Sequence, residues 1–141
     1  MKVVELIEAW GHGNVTSRNR ATFEVTKEDF LTLRGDCIVA INADKGAANL
    51  SSEFKQLARQ ENAKIIVTLE AGGKTETVRG LGSPGLSFTH PTDLVARKST
   101  FTSDRTIMIS SYRAANDFSK DFIQLLKNPE QKVIVTLTVE V

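Results

Sequence analysis

The chain has 141 residues, of which 40% are apolar and 25% charged, so it is long enough to form one domain with a sizeable core. The formal net charge of +1 excludes a global basic field of the kind that drives nucleic-acid binding, and the single cysteine excludes an intramolecular disulfide. No apolar run approaches the roughly 18 residues of a membrane span, and no signal-peptide pattern is visible. We therefore expect a cytoplasmic protein with one domain over residues 1–141 and no membrane partner.

The first part of the chain predicts two strands. Lys2–Trp10 is rich in valine and isoleucine, and we expect Glu5 and Glu8 to be its solvent-facing positions. Ala21–Thr26 alternates apolar and polar residues, which predicts a half-buried strand with Glu24 on its outer face. A turn bracketed by glycines and a short basic segment separate these two strands.

The middle of the chain predicts a buried strand, a helix and a hairpin. A turn or helical element at 27–33 leads to Cys37–Ile41, a continuous apolar run that suits a strand covered on both faces. A helix follows, with Asp44 or Asn49 as its N-cap, and Lys64–Glu70 predicts a strand that turns back in a hairpin. The apolar residues of the helix recur at spacing i, i+4, i+7 and i+8; they are Leu50, Phe54, Leu57 and Ala58.

The second part of the chain repeats this order. Leu94–Phe101 is expected to be the counterpart of the element at 27–33, and Thr106–Ile109 predicts the next strand. A second helix should end before Pro129, and Gln131–Val139 closes the chain as a strand. The helix has the same apolar spacing as the first, at Phe118, Phe122, Leu125 and Leu126.

The repetition is also visible residue by residue. Val39–Leu69 aligns without a gap on Ile107–Leu137, and 11 of the 31 positions are identical. Average composition would give roughly two identities by chance. We interpret the pattern as an internal duplication, with halves 1–72 and 73–141, which predicts pseudo-twofold symmetry.

The predicted fold class is α+β, because each half has the order β-β-β-α-β. Two curved sheets that each bury one face are most simply closed against each other, since closure also removes exposed sheet edges. We therefore predict a β-barrel-like or wrapped antiparallel sheet with two helices. Phe54 and Phe122 should be buried at equivalent positions, each anchoring its helix to the sheet.

The junction between the third strand and the helix is a candidate anion site. Asp44 and Lys45 stand there in the first half, and Arg113 keeps the cation in the second. A cation beside the free amides of a helix start favours a phosphate or carboxylate, and we expect Asp36 or Asp104 to orient the two cations. The alternative is that Asp44 caps the helix or forms a turn while Lys45 is merely solvated.

The glycine-bracketed turn is a candidate for proton transfer. His12 is the kind of side chain that exchanges protons near neutral pH, and Asn14 stands beside it. The alternative is a surface turn in which the histidine bonds to its own backbone.

Other residues could bind a metal or nucleic acid. Glu24, Asp36 and Asp44 would offer oxygen ligands if their strand ends met, but no spacing requires this, so we predict no metal site and no cofactor is indicated. Arg97, Lys98 and Arg105, with the two cations of the helix junctions, could form a basic face for RNA or nucleotide phosphates. Because few aromatic residues interleave with these cations, ordinary solvated charge is favoured over an RNA partner.

Seven short motifs extend over nearly the whole chain. They are Gly11-His12-x-Asn14, Thr22-x-Glu24-x-Thr26-Lys27, Gly35-Asp36-Cys37-Ile38, Ala43-Asp44-Lys45, Gly82-Ser83-Pro84, Arg97-Lys98-Ser99 and Arg105-Thr106. Together they resemble the archaeal domain-of-unknown-function family 371. The resemblance implies a β-barrel-like fold and no assigned activity. The chain departs from the family pattern at Asn19, where the family has histidine, and at Ala21, where it has threonine.

The leading functional hypothesis is a module that binds a small anionic or phosphorylated ligand in a polar cleft between the two halves. The residues predicted for this site are His12, Asn14, Asp44, Lys45, Arg97, Arg105 and Arg113. One alternative is an enzyme that uses His12 or a carboxylate as acid and base on such a ligand. Another is an RNA-associated protein. The sequence does not indicate an oligomeric state.

Overall fold

The computed structural model describes residues 1–141 and contains eight strands and two short α-helices, which confirms the α+β class. The strands are β1 (Lys2–Trp10), β2 (Thr22–Thr26), β3 (Ile38–Ala40), β4 (Lys64–Ala71), β5 (Lys74–Leu81), β6 (Asp93–Arg97), β7 (Thr106–Met108) and β8 (Lys132–Glu140). The helices are α1 (Ser52–Ala58) and α2 (Lys120–Leu126), and each follows a 3-10 turn, at Ala47–Asn49 and Ala115–Asp117. The chain thus passes twice through the order β-β-β-α-β.

The strands form two four-stranded sheets. The first has the order β1-β8-β4-β5 and is antiparallel throughout. The second has the order β3-β2-β6-β7, with β2 and β6 antiparallel at its centre and a short parallel strand on each side. The predicted hairpin between β4 and β5 is confirmed, and Gly72 and Gly73 supply the positive φ angles that such a tight turn requires.

The two sheets do not close into a barrel, so the β-barrel-like form of the prediction is wrong. They touch through two isolated bridges, between Trp10 and Ile41 and between Leu81 and Ile109. Asn42 and Ser110 come directly after these bridges and have φ angles of 56° and 50°. A residue in the left-handed conformation ends an extended segment. The strand pairing therefore stops at each bridge and does not continue from one sheet into the other.

Each helix begins at a serine rather than at the residues expected from the sequence. The hydroxyls of Ser51 and Ser119 accept hydrogen bonds from the amides of Phe54 and Phe122, at 3.1 and 3.2 Å. Asn49 is not the cap of α1, because its side chain accepts from the amide of Gly46 in the preceding 3-10 turn. Each helix that begins after its capping serine has only seven residues. A helix this short is not stable by itself, so packing against the core must stabilise it.

One hydrophobic core of 35 buried residues includes side chains from both sheets and both helices. The prediction for the two helix phenylalanines is confirmed, since Phe54 is 0% and Phe122 is 1% exposed. Phe54 packs edge-on against Phe88, and Phe122 packs edge-on against Phe118. The apolar spacing therefore identified the face of each helix that meets the core, but Leu50 and Phe118 end the preceding 3-10 turns and lie outside the helices.

Three local predictions are corrected by the sheets. Glu5 is buried, because the inward face of β1 carries it, while Glu8 is exposed as expected. β2 is covered on both faces rather than half-buried, because it lies at the centre of the second sheet, and Glu24 is only 8% exposed. Residues 93–97 form the strand β6, paired with β2, rather than a counterpart of the turn at 27–33.

Candidate functional site

A polar cleft of about 380 Å³ opens between the first and second parts of the chain. One wall is the loop between β1 and β2, and the other is the second 3-10 turn together with α2. The lining residues are Thr16, Ser17, Arg18, Asn116, Phe118, Lys120, Ile123, Gln124 and Lys127. Seven of the nine are polar or charged residues, but apolar atoms, including those of Phe118 and Ile123, make up the larger part of the exposed lining.

The charge of this cleft is entirely positive. Arg18, Lys120 and Lys127 line it, and no carboxylate does. None of the three cations takes part in an ion pair. Lys127 donates from Nζ to the carbonyl oxygen of Val15 at 2.8 Å, which holds the ammonium group beside the loop without neutralising it. The cleft therefore favours an anion.

A buried hydroxyl of the cleft has no hydrogen-bond partner. Thr16 Oγ1 is the only buried side-chain nitrogen or oxygen in the chain without one. The neighbouring Ser17 hydroxyl is satisfied, because it donates to the carbonyl oxygen of Ala115 at 2.7 Å. Since buried polar atoms are almost always paired, the Thr16 hydroxyl is an exception within the wall of the cleft.

Ser17, which lines the cleft, and the buried Phe88 have similar backbone settings. Ser17 and Phe88 both have a φ of 53°, and each stands five residues before a strand of the second sheet. Phe88 is 1% exposed and packs on Phe54, with the guanidinium of Arg59 over its ring. Arg59 follows α1 and donates to the carbonyl oxygen of Leu86, as Lys127 after α2 does to Val15.

The two cations predicted at the helix junctions meet carboxylates of the chain itself. Lys45 Nζ lies 3.0 Å from Glu5 Oε2, and Arg113 Nη2 lies 2.6 Å from Glu76 Oε2. The other oxygen of Glu5 accepts the amide of Ser51, just before α1. The expectation that Asp36 or Asp104 orients the cations is therefore wrong.

Glu76 repeats this arrangement before α2. Its Oε1 accepts the amide of Ser119 at 2.7 Å, and Arg113 also donates to the carbonyl oxygens of Thr77 and Asp117. Burial raises the pKa of both glutamates, but the serine amide and the paired cation outweigh burial and hold each pKa below its ordinary value. Internal carboxylates thus already occupy the anion positions at both helix starts.

The side chains of His12, Asn14 and Asp44 each form a hydrogen bond with the backbone. The Nδ1 atom of His12 accepts the amide of Asn14 at 3.0 Å, and Asn14 Nδ2 donates to the carbonyl oxygen of Leu31 at 2.8 Å. Asp44 Oδ1 accepts the amide of Glu8 at 3.1 Å. The contact of His12 matches the alternative of a turn histidine bonded to the backbone, whereas Asp44 bonds to β1 and does not cap α1. None of the three lines the cleft.

Arg97 and Arg105 belong to a different surface, which we call the outer face of the second sheet. It is the face turned away from the core, and β2 and β6 place on it Thr22, Glu24, Thr26, Asp93, Val95 and Arg97. Asp93 is 4% exposed and fully bonded: it accepts the hydroxyls of Thr26 and Thr92, and Arg105 Nη1 lies 2.8 Å from its Oδ2.

Glu24 is the unusual group of this face. No cation lies within ion-pair distance of its carboxyl group, and its one side-chain hydrogen bond comes from the thiol of Cys37, 4.0 Å from Oε1. Burial, followed by the charge of Asp93, raises the pKa of Glu24 to about 7. Burial and the nearby Glu24 raise the pKa of the Cys37 thiol to about 11, so that thiol is not a reactive nucleophile.

The carboxylates considered for a metal do not assemble. Asp36 accepts from the side chain of Asn19, and Asp44 is bonded to the backbone of β1, so neither joins Glu24. No group of three histidine, cysteine, aspartate or glutamate side chains is arranged to hold a metal ion. Neither helix is long and apolar enough to cross a membrane.

The comparisons place the chain in a family. The model of the family described as "Domain of unknown function (DUF371)" matches residues 7–140. An uncharacterized protein of Methanocaldococcus jannaschii is 41% identical over 133 residues, which cover 92% of this chain and 98% of that protein. The chain therefore belongs to the domain-of-unknown-function family 371, and the resemblance found in its motifs is confirmed.

None of the seven residues predicted for the ligand site lines the cleft. Arg97 and Arg105 lie close together near the outer face of the second sheet, whereas Lys45 and Arg113 are at the starts of separate helices. Reasoning from the sequence missed Arg18, Lys120 and Lys127. The available signal was the basic segment at 17–20 together with the contrast between Ser17 and Phe88.

Proposed function

We propose that the protein binds a small anionic ligand, such as a phosphorylated compound, in the cleft between the loop at 16–18 and α2. The observation that carries this proposal is a cleft with three unpaired cations and no carboxylate. Its volume of about 380 Å³ falls at the lower end of the range for small-molecule sites, which suits a compact ligand.

The lining residues should contribute differently to ligand binding, because they differ in exposure and in hydrogen bonding. Arg18 and Lys120 are exposed, so each contributes only modestly through a screened charge. Lys127 is half-buried and held in place, so its charge is less screened and loses less side-chain entropy on binding. Phe118 and Ile123 cover an apolar part of the ligand.

Inorganic pyrophosphate is a suitable probe, because it offers two anionic groups to three cations. We expect Arg18→Ala and Lys120→Ala each to weaken its binding about five- to tenfold, measured by calorimetric titration. Arg79→Ala is the matched control, since Arg79 is an exposed arginine of β5 outside any ion pair and should leave the affinity unchanged. Equal affinity in all three variants and the wild type would refute the site.

A second variant separates the shape of the cleft from its charge. Ser17→Phe should fill the cleft as Phe88 fills the corresponding space beside α1, while leaving all three cations in place. We expect it to abolish pyrophosphate binding with an unchanged circular dichroism spectrum. Retained binding in a folded Ser17→Phe protein would show that the ligand is held elsewhere.

We also propose that the chain is one domain built from two duplicated halves, 1–72 and 73–141, related by a pseudo-twofold axis. Three paired features support this. They are the repeated order of elements, the serine caps of α1 and α2, and a buried glutamate that accepts the amide of each capping serine. In this view, the cleft marks the place where the halves diverged, with Ser17 in one and Phe88 in the other. An experimental structure in which the halves fail to superpose would contradict the duplication.

A further inference from the structure

The outer face of the second sheet carries several of the family motifs, yet the cleft uses none of them. Thr22, Glu24 and Thr26 come from one motif, Arg97 from a second, and Arg105 with Thr106 from a third. Val95, at the centre of this face, is buried but lies outside the hydrophobic core. The face is therefore a separate polar environment on the far side of the sheet from the core.

The side chains of Asp93 and His90 on this face already have hydrogen-bond partners within the protein. Asp93 accepts two hydroxyls and pairs with Arg105, so its charge is compensated within the protein. His90 lies 3.8 Å from the same carboxylate and accepts the amides of Thr92 and Asp93. These contacts stabilise the turn before β6 and leave little capacity for a ligand.

The charge of Arg97 is not paired with a carboxylate, and some of its N–H donors are free. Its Nε donates to Thr106 Oγ1 at 2.8 Å, and its Nη2 donates to Ser103 Oγ at 3.1 Å, so both partners are neutral hydroxyls. No carboxylate lies within ion-pair distance, and the guanidinium stacks over the ring of Phe101. A guanidinium has five N–H donors, so several remain free for an oxyanion.

Glu24 stands next to Arg97 across the sheet. It pairs with Val95, and Arg97 is two residues further along β6 on the same face, a diagonal separation that long side chains span. Glu24 is also nearly enclosed, and its one side-chain hydrogen bond is a weak one from the Cys37 thiol, 4.0 Å from Oε1. A protonated carboxyl there has an O–H group without a good acceptor in the protein.

We propose that Arg97 and Glu24 form a second ligand site, for a small oxyanion of the phosphate or carboxylate class. Arg97 binds the anion through its free N–H groups, and the protonated carboxyl of Glu24 donates its O–H to a further oxygen of the same group. With Asp93 paired to Arg105, Arg97 is the cation of this face that has no carboxylate partner. An ionised Glu24 would repel the anion, so binding requires the proton.

Binding at this face should therefore depend on pH. The charged and titratable groups around Glu24 are Cys37 before β3, Glu28 after β2, Asp93 and Arg97 of β6, and Arg105 before β7. Glu24 is the group among them whose pKa lies near 7. If the ionised form does not bind, the apparent dissociation constant rises about tenfold between about pH 6 and about pH 8.

Sulfate and acetate are the probes, because neither titrates in this pH range and they represent the phosphate and carboxylate sources. The measurement is a nuclear magnetic resonance titration that follows the Nε–Hε signal of Arg97 and the amide of Thr106. We expect at least one probe to shift these signals, with the pH dependence above in the wild type. Glu24→Gln, which keeps a donor but cannot ionise, should bind with the same affinity at both pH values.

Two further variants complete the test. Arg97→Gln should eliminate the response of Thr106, whereas Arg79→Gln, the matched control, should not change it. Arg18→Ala should alter only the signals of the cleft, so failure of this proposal and failure of the cleft proposal are distinguishable. The inference is overturned if neither probe shifts the signals of Arg97 and Thr106. Equal pH dependence in wild type and Glu24→Gln, or a full Thr106 response in Arg97→Gln, also overturns it.

Discussion

Glu24→Gln should change how the stability of the protein depends on pH. The pKa of Glu24 is raised from 4.5 to about 7 by burial and by Asp93, so the folded protein holds a proton that the unfolded chain has released. Between these two values the folded state binds more protons than the unfolded state. The wild type must therefore lose stability as the pH rises through this window, whereas a glutamine at this position has no proton to lose.

The size of the effect follows from the two pKa values. Each unit of difference corresponds to about 1.4 kcal/mol between the protonation states. Ionisation of Glu24 should cost the wild type about 1 kcal/mol of unfolding free energy at about pH 5 and about 3 kcal/mol at about pH 8. The glutamine variant should thus gain about 2 kcal/mol relative to the wild type between these two conditions.

Urea unfolding at both pH values measures this difference directly. Histidines and other carboxylates titrate in both proteins, so their contributions cancel when the variant is compared with the wild type. Glu70→Gln serves as the control, because Glu70 is exposed on β4 and its removal should give the same difference at both pH values. If the free energies of wild type and Glu24→Gln change in parallel with pH, Glu24 is not the buried neutral acid described here.

Two further predictions concern packing and the ion pairs at the helix starts. Phe54→Ala or Phe122→Ala should cost about 3–5 kcal/mol in urea unfolding, because each ring is fully enclosed, whereas Phe30→Ala, at a position 59% exposed, should cost less than about 1 kcal/mol. Similar losses in all three variants would contradict the assigned core. Glu76→Gln should cost about 1–3 kcal/mol at neutral pH, since it leaves Arg113 without its carboxylate. This cost should shrink as the pH falls through the lowered pKa of Glu76, where the wild type also loses the charge; a cost that persists in acid would show that the ion pair is not its origin.

The positions of most elements could be predicted from the sequence, because the signals are local. The spacing of apolar residues identified both helices and the buried rings of Phe54 and Phe122. Apolar runs and turn residues likewise located β1, β4 and β8 to within a residue or two. Such patterns need no knowledge of partners, since a residue's place on a helix or strand depends only on its immediate neighbours in the chain.

The tertiary structure determined which face of each strand is buried and which residues form ion pairs. Glu5 points inward while Leu6 is 60% exposed, the reverse of what their polarity suggests, because the carboxylate bonds to Lys45 and to the start of α1. Those partners are 40 and 46 residues away, so no local pattern could reveal them. A single carboxylate with two good donors can lie on the buried face of a strand, whereas an unpaired one could not remain charged there.

By itself, the sequence of this protein determined its class, its two helices and the repeated order of its elements, because apolar spacing and turn chemistry act over a few residues. Only the tertiary structure decided that the sheets stay open, that Lys45 and Arg113 are neutralised from within, and that a positive cleft exists beside α2. The physical reason is that cavities and charge partners arise between segments distant in the chain.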